Sequence, residues 1–116
     1  DGTLLDSMPY WRRLAREYAT KKGAVLPPDF DEKTYTMDLN ECSDYFIKEF
    51  GIAGNRENMQ KEVLEMIREH YKKDIRMKPG MKELIEREYQ NGSRMCIFTT
   101  SEKACAKAAP WCFILF

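Results

Sequence analysis

The chain has 116 residues, the length of one domain, and a chain of this size can bury roughly 65% of its unfolded surface. Its 19 basic and 19 acidic residues cancel, which excludes a general electrostatic affinity for nucleic acid or an anionic membrane. With 33% charged and 43% hydrophobic residues the composition is that of a folded domain, and no apolar run approaches a membrane span, Phe113 to Phe116 being far too short.

In chain order, Asp1-Gly2-Thr3 is a tight-turn signal, and Asp6-Ser7 is a good N-cap for the helix after it. That helix starts at Ser7 to Pro9. Trp11, Leu14, Ala15, Tyr18 and Ala19 form its apolar face, and Gly23 stops it. Leu26-Pro27-Pro28-Asp29 is a loop, because two prolines remove two donors. A second helix is expected over Glu41 to Phe50, with Cys42, Tyr45, Phe46 and Phe50 on one side and Gly51 at its end. Asn55 can cap a third, where Met59, Val63, Met66, Ile67, His70 and Tyr71 keep helical spacing to about Lys73. From Pro9 to Lys73 the spacing predicts helices and no strand.

Lys78-Pro79-Gly80 punctuates the chain. Met81 to Asn91 reads as a helix with Met81, Leu84, Ile85 and Tyr89 inward, and Gly92 ends it. Met95-Cys96-Ile97-Phe98 is a short apolar run bounded by Thr99-Thr100-Ser101, expected to be a strand buried on both faces. A last helix begins around Glu102 and stops at Pro110. Cys112 to Phe116 has the composition of a second buried strand. The lone histidine, His70, reads as a packing residue. Cys42, Cys96, Cys105 and Cys112 form no Cys-x-x-Cys pair and read as reduced packing residues of a reducing compartment.

The opening heptad, Asp1-Gly2-Thr3-Leu4-Leu5-Asp6-Ser7, resembles the second half of the first motif of the haloacid dehalogenase (HAD) superfamily, Asp-x-Asp-Gly-Thr-apolar. Lys78-Pro79-Gly80 resembles that family's return from cap to core, and the run ending at Thr99 resembles its second motif. The resemblance implies an α/β fold: a HAD-like Rossmannoid core with few strands here, made of residues 1–8 and 78–116. Residues 9–77 would be the core helix leading into an inserted helical cap, so that most of this chain is helical. In such sheets ligands sit outside the carboxyl ends of the strands.

The same resemblance implies a Mg²⁺-dependent phosphatase of the phosphoglycolate phosphatase or β-phosphoglucomutase-like type. It would be cytoplasmic and act on a small phosphorylated substrate such as a sugar phosphate, through an aspartyl-phosphate intermediate. Asp1 matches the general acid/base, and its backbone carbonyl a metal ligand. Gly2, Thr99, Thr100 and Ser101 match the phosphate-binding positions. Phosphoryl transfer asks mainly for such positioning and for neutralised oxygens, and an oxygen-ligated Mg²⁺ suits it. The family's nucleophile stands two residues before the position of Asp1, and its later Lys and acidic motifs have no counterpart. After Ser101 the basic residues are Lys103 and Lys107, and no Asp follows Asp74. The sequence therefore reads as a fragment, expected to be inactive alone. A phosphomutase of the same family is the alternative; Trp11, where mutase-like members often carry His, favours the phosphatase. From another class, a non-catalytic helical interaction module also fits the amphipathic faces.

Overall fold

Apolar residues at helical spacing need a common face to bury, and six helices supply it among the described residues. In the computed structural model, which describes residues 1–109, these are α1 (Met8–Lys21), α2 (Phe30–Tyr35), α3 (Leu39–Phe50), α4 (Arg56–Lys73), α5 (Met81–Gln90) and α6 (Lys103–Ala108). The described chain divides into two units, with the division inside α4: residues 9–67 form one, and residues 1–8 with 68–109 form the other.

Residues 9–67 are a helical unit with no strand. Its core holds Leu14, Tyr18 and Ala19 of α1, Phe30 of α2, Phe46 of α3, and Met59, Val63 and Ile67 of α4. Phe30 stacks on Phe46 at 6.3 Å between ring centres and meets Phe50 edge-on at 5.8 Å. Tyr18 closes on Phe46 at 5.4 Å. Each such pair adds about 0.5–1.5 kcal/mol beyond its buried area. Leu26-Pro27-Pro28-Asp29 is the expected loop, and the helix α2 that follows it is an element the spacing did not predict. At six residues it is too short to show periodicity, and one fully buried ring, Phe30, holds it in place.

The ends of α3 and α4 follow local chemistry. Asp38 accepts from the Glu41 amide at 2.8 Å, and the Glu41 carboxylate accepts from the Asp38 amide at 2.9 Å, a reciprocal cap on α3. Gly51 ends α3 at φ 59°, a conformation that favours glycine. The Asn58 amide donates to Asn55 Oδ1 at 2.8 Å, so Asn55 caps α4 as expected. Tyr18 donates its hydroxyl to Glu62 at 2.8 Å, and Lys22 pairs with the same oxygen at 2.7 Å. Burial first, and then this acceptor, push the Tyr18 hydroxyl far above its ordinary pKa.

In the other unit, Leu5 and Met77 form an isolated antiparallel bridge. The Asp6 amide donates to Arg76 O at 2.9 Å and the Lys78 amide to Leu4 O at 2.8 Å, so the pair lies between two ladder bonds. Leu5, Tyr71, Ile75, Ile85 and Cys105 are buried here. Two expectations fail in this unit. Met95 to Phe98 is not a strand: Met95 is 39% and Phe98 98% exposed. A strand buried on both faces needs neighbours along its edges, and no described segment pairs with this run. In α5 only Ile85 is buried, while Leu84 and Tyr89 are exposed, because one narrow stripe of that helix is covered.

Cys105 is buried as a packing residue, Cys42 is half-buried and Cys96 exposed, so the packing reading does not extend to Cys96; none of the three is in a disulfide. Burial first, with Asp38 and Glu41 nearby, pushes the Cys42 thiol up to about 11. His70 is partly covered and binds Asp74 through Nδ1 at 2.7 Å. The expected strand at Cys112 to Phe116, the stop at Pro110 and Cys112 itself lie outside the described residues.

Candidate active site

The opening turn sets the position of Asp1. Gly2 takes φ +70° and its amide donates to Leu5 O at 2.9 Å, folding the first residues back on themselves. Ser7, fully buried at the start of α1, then donates its hydroxyl to Asp1 Oδ1 at 2.7 Å. This differs from the expected role of Asp6-Ser7 as a plain cap. The geometry of the turn spends that hydroxyl on the carboxylate.

Two more hydroxyls reach the same carboxylate. Tyr71, near the end of α4 and 1% exposed, donates to Asp1 Oδ1. Ser101 donates to Asp1 Oδ2 across 100 positions of sequence. A carboxylate offers about four acceptor sites, so three donors leave room for one further partner. The Ser101 amide in turn donates to Thr99 Oγ1 at 3.1 Å, a local turn that orders residues 99–101.

Asp1 and Thr99 line one cavity of about 270 Å³, with Thr3, Leu5, Tyr71 and Ile97 also on its wall. That lies just below the roughly 300–1,000 Å³ of pockets for drug-sized ligands, so it suits a small one. Of the site residues expected from sequence, Asp1, Thr99 and Ser101 come together here. Gly2 has its amide engaged by Leu5, and Thr100 is exposed and is not a lining residue. Sequence reasoning missed Ser7 and Tyr71 as neighbours of Asp1. Tyr71 entered only as an apolar member of a helical face, although a buried tyrosine needs a partner for its hydroxyl, and that is the signal that could have found it.

Chemically, a carboxylate held by hydroxyls on a residue that lines a small cavity can give and take a proton at a bound ligand. As a metal centre the site is incomplete. No group of three or more His, Cys, Asp or Glu that could hold an ion is present among the described residues. Asp1 could supply one oxygen donor, and Mg²⁺ demands near-octahedral oxygen ligation, so the described residues do not by themselves fit the ion.

The family model for haloacid dehalogenase-like hydrolases matches residues 1–109. Among solved structures, the chain resembles a protein from Lactobacillus plantarum described as a candidate phosphoglycolate phosphatase, at a TM-score of 0.58 and 24% identity. The match covers 99% of this chain and 55% of that one, so the chain spans about half the length of that neighbour. At this identity the likeness speaks for the fold. Comparison with curated proteins gives no match.

Proposed function

Because the chain belongs to the haloacid dehalogenase-like hydrolases, we propose that it is part of a phosphatase of that family, acting on a small phosphate monoester such as a sugar phosphate. In this reading Asp1 is the general acid/base: it protonates the leaving oxygen and later takes a proton from the attacking water. Thr99 and Ser101 hold phosphate oxygens, with Gly2 and Thr100 as further phosphate-binding positions carried over from the motif. Residues 1–8 and 78–116 would be the core, and the helical stretch from 9 to 77 would include the inserted cap. The observation that carries the proposal is the meeting of Asp1 with Ser101, 100 positions away, at a cavity that Thr99 also lines.

Mg²⁺ is the cofactor the reading expects, and the motif offers the Asp1 backbone carbonyl as one of its ligands. The cytoplasmic location is part of the same proposal and rests on the resemblance alone; no helix among the described residues is long and apolar enough to cross a membrane.

The test is hydrolysis by a full-length protein that carries these residues, assayed over a panel of small phosphate esters. Inorganic phosphate should be released without net isomerisation. Asp1→Asn should lower kcat/KM by about 10²–10⁴, the usual contribution of a general acid/base. A rate unchanged by Asp1→Asn would overturn the reading.

A further inference from the structure

We infer that Tyr71 is a positioning residue for the acid/base, holding Asp1 so that one carboxylate oxygen is fixed and the other is turned to the substrate. The inference rests on the reading of Asp1 above and goes beyond it, since nothing in the opening motif points to a residue on α4.

The two oxygens of Asp1 have different surroundings. Oδ1 accepts from Ser7 at 2.7 Å and also from Tyr71. Both donors are buried, at 0% and 1% exposure, so they are held by packing and do not exchange freely with water. Oδ2 accepts from Ser101, which is only partly covered and sits beside Thr99 on the phosphate-binding segment. Two buried donors on Oδ1 occupy that oxygen's lone pairs. Oδ2 is therefore the oxygen free to exchange a proton with a leaving group, once Ser101 turns to a phosphate oxygen.

The side chain of Tyr71 is suited to this task. Its ring is packed inside the unit, so the hydroxyl arrives from a fixed direction, while the Asp1 carboxylate has two rotatable side-chain bonds to lose. A donor that removes that freedom places the proton in line with the scissile oxygen, and misplacement by about 1 Å can cost on the order of 10²-fold. Tyr71 lines the same cavity as Asp1, and the role inferred for it is exerted through the Asp1 carboxylate. Ser7 shares the same oxygen and the same task.

The experiment compares two substrates in a full-length protein carrying these residues: an alkyl phosphate, whose poor leaving group needs a proton, and p-nitrophenyl phosphate, whose leaving group does not. Tyr71→Phe keeps the packed ring and removes the hydroxyl. It should lower kcat/KM for the alkyl ester at least tenfold more than for the aryl ester, and Ser7→Ala should show the same selective loss. Tyr89→Phe, on an exposed ring of α5, should change neither. Equal losses on both esters in both variants mean a general structural role and overturn the inference, as do unchanged rates. Asp1→Asn is run alongside. If it too leaves the alkyl ester unaffected, the reading of Asp1 as acid/base fails; if it abolishes that activity while Tyr71→Phe and Ser7→Ala do not discriminate, only the positioning role fails.

Discussion

At the scale of single residues, the opening turn depends on a backbone that most side chains resist. Gly2 sits at φ +70°, and a Cβ built on it would come within 3.2 Å of Met8 Cγ. The left-handed conformation alone costs an ordinary residue roughly 1–2 kcal/mol. Gly2→Ala should therefore lower the unfolding free energy by about 1–2 kcal/mol, read as an earlier urea midpoint at unchanged slope; an unchanged midpoint would show that the turn relaxes freely. Asp1 and Gly2 were legible in the sequence because turn chemistry and the motif point to the same two residues. Ser7 and Tyr71 were not, since spacing says that a residue is buried but not where its hydroxyl points. Thr100 illustrates the converse. It stands in the right motif, yet the turn made by Thr99 and Ser101 leaves it facing solvent.

Among the elements, the four helices with clear apolar faces, α1, α3, α4 and α5, fall within a few residues of their expected spans, and Asn55 and Gly51 mark the ends read from sequence. What was not legible depended on tertiary partners. The short helix α2 exists because Phe30 finds an aromatic pocket. The apolar run at 95–98 would need strand neighbours that no described residue supplies, and burial was inferred from its composition alone. The same helical spacing makes a testable charge cluster on α4. Lys72 first, and then Lys73, hold the Glu69 carboxyl from its ordinary 4.5 down to about 2. A carboxyl depressed in the folded state contributes stability above its unfolded value, and that contribution fades as pH falls from 4.5 towards 2. All three side chains are exposed, so the effect is small. Acid titration of Glu69→Gln should show a shallower loss of stability in that window than the parent; identical acid limbs would mean that the ion pairs contribute nothing.

For the molecule as a whole, composition and motif order carried further than strand assignment. The small substrate proposed above accords with a zero net charge and with a small cavity lined by Asp1 and Thr99. Each of the two units has its own buried residues, one dominated by aromatic packing and the other by aliphatic side chains around Tyr71. The central proposal is that Asp1, Thr99 and Ser101 surround one phosphate. The most direct measurement is a crystal structure of a full-length protein carrying these residues, soaked in inorganic phosphate. An anion is expected within hydrogen-bond reach of Asp1 and the Thr99 hydroxyl, at roughly 3 Å from each, with the Ser101 hydroxyl turned from Asp1 to the anion. A phosphate bound elsewhere, with the Ser101 hydroxyl still on Asp1, would contradict the proposal.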